Sequence, residues 1–501
     1  MALVEPVPLA KTKLRSGLLL TLGLFIGVSA FALVGVQVEG KLPENFAQIS
    51  GTYIVFAIVF MVVINRLAPH ADPVLLPIII TLNGVGLAMI YRIDLAERAK
   101  GVDIDLASKQ LIWTIIGMLA AMVVLIALRD HRTLRRYSYT AMVLGLVLVI
   151  LPMVPGIGKT LNGARIWINF AGFSLQPAEL AKICFAVFFA GYLVTNRDTL
   201  TLAGPKFLGL QLPRFRDLGP IMIVWVVSLA VLILEKDLGT SLLLFGLFIA
   251  MLYIATERFS WVLIGLVLFS GGAVLAAQAF PHVMARFDVW LHAMDNDVFQ
   301  QHPGGSGQIV RGLFGMANGG LFGTGFGNGR PDLVPYASSD FIVTSFGEEL
   351  GLTGLMAILL LLLIYVQRGM RIAIGTTDGF GKLLTGGLAF VMAWQCFVVV
   401  GGVTRIIPLT GLTTPFLAYG GSSLLSNWII LALLLRVSNS ARAPQPLTMR
   451  PKTSTPMNDN APIIVSPQSS QSDSNSDLRT SSLAVVEQHT EVIFTEPQER
   501  Q

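Results

Sequence analysis

Ser339-Asp340-Phe341-Ile342-Val343-Thr344-Ser345-Phe346-Gly347-Glu348-Glu349-Leu350-Gly351 is the stretch on which the reading of this chain turns. It closes a polar loop running from Pro281 to Asp340 and leads into an apolar run, 341–367. A carboxylate beside hydrocarbon costs about 3 kcal/mol on insertion scales, so acids at the mouth of an apolar run are kept for a reason. Asp340 and Glu349 either brace the loop or serve chemistry within it. The remainder of the chain makes the hydrocarbon real. Of 501 residues, 53% are hydrophobic and only 13% charged, against about a quarter charged in a soluble domain. Mean hydropathy is +0.69. The 29 Phe and 49 Gly suit packed transmembrane helices, where glycine permits close approach. The composition is that of an integral membrane protein. The net charge of +5 comes from basic residues scattered through short loops, a topology signal and not a nucleic-acid footprint. Cys184 and Cys396 lie inside apolar runs and read as small buried hydrophobes, with no disulfide or metal framework.

Working outward, apolar runs of about 17 to 25 residues mark membrane spans. Twelve are expected: 17–36, 52–67, 74–91, 110–128, 138–154, 178–194, 218–234, 238–256, 260–279, 341–367, 382–400 and 412–436. Lys11, Lys13 and Arg15 precede the first, which is too long for a cleaved signal core, so the amino end is expected on the cytoplasmic side. Alternate loops test the count. One set is basic: Arg66; Arg129, Arg132, Arg135 and Arg136; Arg197, Lys206, Arg214 and Arg216; Arg258; Arg368 and Arg371. The other is mixed: Glu39, Lys41 and Glu44, then Asp94, Glu97, Arg98, Lys100, Asp103 and Asp105. The asymmetry supports an even number of spans with both termini cytoplasmic. Loops 155–177, 235–237, 280–340 and 401–411 then share the outer face. From about Ser438 the chain turns rich in Pro, Ser, Gln, Asn and Thr, and 437–501 is expected to be a disordered cytoplasmic tail. Val492-Ile493-Phe494 within it is an incidental patch or a docking motif.

The outer loops hold the polar clusters. Asn162-Gly163-Ala164-Arg165-Ile166-Trp167 leads to Gln176-Pro177-Ala178-Glu179-Leu180-Ala181-Lys182, with Pro177 fit for a first helical turn. Glu179 and Lys182 share a helix face, either lining a polar cavity or forming a structural ion pair. Glu235-Lys236-Asp237-Leu238-Gly239-Thr240 is a turn between spans or a break that faces a charged headgroup. Arg405 precedes Pro408-Leu409-Thr410-Gly411-Leu412-Thr413-Thr414-Pro415, and Tyr419-Gly420-Gly421-Ser422-Ser423 follows. Two prolines and paired glycines there predict a broken helix, tolerated at membrane depth only where protein or a cavity satisfies the freed backbone. Gly323-Thr324-Gly325-Phe326-Gly327-Asn328-Gly329 is not a nucleotide-binding motif, since no βαβ unit surrounds it; it reads as a tight loop. His282, His292 and His302 match no metal-ligand spacing.

Taken together, Asn162 to Trp167, Gln176 to Lys182, Lys236 to Thr240, Gly319 to Gly329, Ser339 to Gly351 and Pro408 to Ser423 resemble the SEDS family of polytopic cell-wall proteins, which includes RodA, FtsW and SpoVE. The resemblance covers roughly 74–436 and is closest to the RodA-type branch of actinobacteria. It implies an all-α polytopic membrane fold with a ten-helix core. Residues 1–73 would be an amino-terminal segment with two additional transmembrane helices, and 280–340 a large extracellular loop. It also implies a peptidoglycan glycosyltransferase that polymerises lipid II at the outer membrane face during elongation or division. Its expected partner is a class B penicillin-binding protein. The family's essential aspartate falls at Asp295, where Asn296 replaces the usual proline; Asp297 is the alternative.

On this reading Asp295 takes the acceptor hydroxyl's proton as the glycosidic bond forms. Positive charge must meet the departing pyrophosphate. Arg165, Lys182, Lys236 and Arg405 are the basic candidates, with Glu179 and Asp237 orienting them or holding a divalent cation, Mg or Mn. Two other classes suit many spans and broken helices: a lipid II transporter, and a non-catalytic scaffold for a transpeptidase. Catalysis is preferred because polar residues gather on one face and do not line a path across.

Overall fold

The computed structural model describes residues 9–161, 164–170, 173–198, 206–207, 210–211, 226, 237–301 and 305–444. The chain runs α1 (Leu9–Glu39), α2 (Phe46–Leu67), α3 (Leu75–Arg98), α4 (Leu106–Ala127) and α5 (Ser138–Ile150). A small sheet follows, then α6 (Ala178–Thr195), α7 (Leu238–Thr256) and α8 (Phe259–Ala279). The long loop carries α9 (Pro281–Leu291), α10 (Gly307–Gly319) and α11 (Ile342–Glu349). α12 (Gly351–Gly375), α13 (Gly379–Val403) and α14 (Gly421–Arg442) complete it. Among the described residues ten helices are long and apolar enough to cross a membrane: α1–α4, α6–α8 and α12–α14. The expected span at 138–154 is a shorter apolar helix, and the one at 218–234 lies outside the described residues, as does the tail beyond Pro444.

α3 and α14 sit at the centre. α3 is buried along nearly its whole length and packs on α1, α4 and α12. α14 packs on α4, α6, α12 and α13, and its Trp428 is fully enclosed, edge-on to Phe60 and Phe416. Close approach uses small residues: a Cβ on Gly27 of α1 would lie 2.9 Å from the Gly84 Cα of α3. The periphery is apolar and exposed, with Leu18 and Phe25 on α1, Leu266 on α8 and Leu363 on α12. Such continuous apolar faces are sustainable in lipid and not in water.

Polar contacts separate two ends of the bundle. At the loop end Arg92 meets Glu349, Lys100 meets Asp332, and Gln37 meets Asn328. At the opposite end the His70 N–H donates to Asn439, the Asp72 N–H to Ser438, and His131 pairs with Asp378.

Several expected boundaries move. The span placed at 341–367 begins at Gly351, because the chain breaks there at φ +67° and Ile342–Glu349 forms a separate short helix. The span placed at 412–436 begins at Gly421; residues before it are non-helical, with Arg405, Gly411 and Phe416 all at positive φ. The helix then runs past 436 to Arg442. The segment at 155–177 is not plain loop: β1 (Gly158–Leu161), β2 (Ala164–Phe170) and β3 (Phe173–Leu175) form an antiparallel meander, with Lys159 opposite Trp167 and Asn169 opposite Ser174.

The broken stretch before α14 has its carbonyls answered by side chains. Arg286 Nη1 donates to the Leu409 oxygen at 2.9 Å, and Gln395 Nε2 to that of Thr413 at 3.0 Å. Asn83 Nδ2 donates to the Phe416 oxygen at 3.1 Å and Gln110 Nε2 to that of Ala418 at 3.0 Å. Non-helical backbone at this depth is stable because polar residues of α3, α4 and α13 were placed to meet it.

Candidate functional site

The loop end of the bundle gathers polar groups from segments far apart in sequence. Asp237 caps α7: its Oδ1 accepts from the Thr240 N–H at 3.1 Å, and its Oδ2 from Thr240 Oγ1 at 2.6 Å. The same Oδ2 accepts from Gln176 Nε2 at 3.0 Å, and the Gln176 N–H donates to Ser422 Oγ at 2.7 Å. The α6, α7 and α14 starts are thereby joined. Arg286, half-buried on α9, stands in the field of both Asp237 and Asp340. Burial pushes the Asp340 carboxyl up to about 6, with Asp237 acting in the same direction and Ser339 and Arg286 opposing. Two carboxylates facing a single guanidinium make a cluster whose charge changes as Asp340 titrates, at about 6.

Beside it, the glycine run is moulded on the acids of the opening motif. Glu349 Oε1 pairs with Arg92 Nε at 2.9 Å and its Oε2 accepts from the Gly327 N–H at 2.8 Å. Glu348 Oε1 accepts from the Arg330 N–H at 3.0 Å. The Thr324 and Gly325 N–H groups donate to the Glu348 and Glu349 carbonyls. Gly323, Gly325 and Gly327 have φ of 83°, 99° and 100°, backbone that a side chain would strain. The run is a carboxylate-braced turn, and Glu349 does the bracing.

Glu179 and Lys182 form no open cavity. Lys182 is fully buried and its Nζ donates to Glu179 Oε2 at 2.6 Å, Gln395 Oε1 at 3.0 Å and Asn427 Oδ1 at 3.3 Å. Ser426 Oγ adds a bond to the same Glu179 oxygen at 3.1 Å. The pair is sealed between α6, α13 and α14 as a buried ion pair. A buried ion pair survives only when its remaining donors and acceptors are satisfied, and this one is.

Asp295 and Asp297 are exposed on the loop just past α9. The turn that presents them is ordered by backbone bonds: His292 N–H to the Asp288 oxygen at 2.8 Å and Asp295 N–H to the His292 oxygen at 3.0 Å. Asp295 sits at the start of a short helical turn, Asn296–Phe299, without spending its carboxylate on the cap. Arg165 lies on β2; its Nη2 donates to the Val154 oxygen at 3.2 Å, while its buried Nε has no partner. Arg405, expected to meet pyrophosphate, is engaged with the Trp290 and Leu291 carbonyls. Lys236, His302 and the Asn162-Gly163 pair lie outside the described residues.

Among the described residues no three metal-ligating side chains converge. Asp237 bonds Thr240 and Gln176, and Glu179 bonds Lys182. Sequence reading passed over Arg286. Its signal was an arginine three residues from both Val283 and Val289 on an amphipathic helix, hence on the buried stripe.

Comparison with known proteins follows the same residues. The family described as cell cycle protein, FTSW_RODA_SPOVE, matches 73–443. The peptidoglycan glycosyltransferase RodA of Mycobacterium leprae is 48% identical over 456 residues, 90% of this chain and 95% of that protein. Stage V sporulation protein E of Bacillus subtilis is 34% identical over 74% of this chain and 98% of its own length. Among solved structures, a chain of a peptidoglycan synthase complex, described for its coordination of polymerization and crosslinking, superposes with a TM-score of 0.58. It is 22% identical and covers 73% of this chain and 98% of its own, a likeness of fold.

Proposed function

The chain belongs to the cell cycle protein family of FtsW, RodA and SpoVE, and we propose that it polymerises lipid II into glycan strands at the outer face of the cytoplasmic membrane. It is a peptidoglycan glycosyltransferase of the RodA kind. The observation that carries this is 48% identity to a RodA across 90% of the chain, against 33% to a probable FtsW across 74%. The same difference favours elongation over division. A class B penicillin-binding protein is the partner we infer, by analogy with the synthase complex whose chain shares the fold.

The geometry supports a reaction at the loop end. A polyprenyl chain can remain in the bilayer beside the apolar faces of the bundle while its pyrophosphate reaches the polar end. Asp295, exposed on an ordered turn, is our base: it accepts the acceptor hydroxyl's proton as that oxygen attacks the sugar carbon, and the bond to the lipid pyrophosphate breaks. Charge builds on the departing phosphate oxygens. Arg165, with an unspent Nε, and Lys236 are the cations we assign to it. Arg286 ties α9 to the Leu409 carbonyl, with Asp237 and Asp340 in its field. The basic excess at the opposite end supports a loop end that faces outward.

The test is polymerisation of purified lipid II by the full-length protein in detergent. Asp295→Ala should abolish glycan strands while the variant remains folded, and Asp297→Ala should retain them. Full polymer from Asp295→Ala would overturn the base assignment. A transporter would give no polymer at all in detergent, where there are no sides to cross.

A further inference from the structure

Arg405 and Trp290 clasp one another. Arg405 Nη2 and Nε donate to the Trp290 carbonyl at 2.8 and 3.2 Å, and Nη2 also reaches that of Leu291 at 3.4 Å. In return Trp290 Nε1 donates to the Arg405 carbonyl at 3.0 Å. The acceptors are among the last carbonyls of α9, which no intrahelical donor can satisfy. A cation there also meets the negative end of the helix dipole. Arg405 holds φ +61°, a conformation that a β-carbon disfavours and that persists only where surrounding contacts over-determine it. A second tie, Arg286 Nη1 to the Leu409 oxygen at 2.9 Å, binds the middle of α9 to the same non-helical segment. The turn bearing Asp295 begins where the clasp ends, since the Asp295 N–H bonds the His292 oxygen.

We propose that Arg405 is a positioning residue for polymerisation, capping the carboxyl end of α9 and so fixing the turn from which Asp295 projects. This rests on the reading of Asp295 as the base. The face of the guanidinium carrying Nε and Nη2 is spent on carbonyls, so Arg405 acts through Trp290 and does not hold pyrophosphate. Its location couples the loop to the break between α13 and α14: the segment that interrupts the membrane helices also aims the acid.

The experiment uses the full chain in detergent with lipid II, comparing Arg405→Ala, Arg405→Lys and Trp290→Phe, and reads amide hydrogen exchange in the same samples. Misplacing the acid by an ångström should cost roughly ten- to a hundredfold in kcat. Arg405→Ala should show that loss with KM for lipid II little changed. Arg405→Lys, which keeps a cationic donor at the helix end, should recover part of it, and Trp290→Phe should fall between. The His292 and Asp295 amides should exchange faster in Arg405→Ala, with α7 and α12 unaltered. A raised KM with unchanged kcat would make Arg405 a substrate contact and overturn the proposal. So would unaltered exchange at His292 and Asp295. Full polymer from Asp295→Ala would instead sink the base assignment and the link from clasp to chemistry, while faster exchange would leave the clasp itself standing.

Discussion

At the scale of the residue, Asp340 is the group whose chemistry is set most visibly by its surroundings. Its ordinary value near 3.8 is raised to about 6 by burial first, then by Asp237. An acid raised in the folded state binds more protons there than in the unfolded chain, so its contribution is fully present below about pH 4 and is lost as pH rises through about 6. Thermal unfolding of the wild type in detergent, followed from about pH 4 to about pH 7, should include that loss. Asp340→Asn should remove it, leaving a flatter profile; identical slopes in the two proteins would refute the assignment. The neighbouring lesson is Lys182. A Glu–Lys pair three apart says that two charges share a helix face, but not whether the face is wet. What decided it were Gln395 and Asn427, residues of other helices that complete the lysine's donors. No local pattern announces such partners.

At the scale of the element, the glycine-rich turn is where conformation and function of the loop meet. Gly323 has φ +83° and lies against the Glu349 carbonyl oxygen, which a Cβ would strike. Gly323→Ala therefore combines a left-handed backbone with overpacking, together roughly 2–4 kcal/mol. The variant should unfold several degrees lower and lose polymerisation; a melting temperature equal to wild type would show that the turn relaxes freely. The acidic motif and the glycine run were each legible in the sequence, and so was the membrane core, because hydrocarbon imposes a length and a composition. Their mutual fit was not legible, since Glu349 reaches Gly327 by folding back across the loop. The break at Gly351 was hidden for a related reason: within an apolar run a glycine reads as a packing residue, and only the φ of +67° shows it to be a hinge between helices. The three short strands escaped because Trp167 and Ile168 carry a β preference too brief to stand out between spans.

At the scale of the whole molecule, charge divides the bundle. The end that carries Arg66, Arg129, Arg132, Arg135, Arg136, Arg368 and Arg371 lies opposite the end that gathers Asp237, Asp295, Asp340 and Glu349. Basic loops are retained on the cytoplasmic side, so the acid-bearing end should face outward. α12 offers a direct test because it joins the two ends, beginning at Gly351 beside the glycine turn and ending at Gly375. Phe322 and Ile374 are each 78% exposed and mark those ends. Cysteine at either position, in a chain whose Cys184 and Cys396 have been replaced by alanine, gives a site that a membrane-impermeant maleimide reaches only from its own side. In intact cells Phe322→Cys should label, and Ile374→Cys should label only after permeabilisation. The reverse pattern would put the Asp295 loop in the cytosol, where an outer-face polymerase cannot work. Orientation is thus the property on which base, cations and partner all depend, and the expectation for it rests on the arginines of the far end, not on any residue of the site.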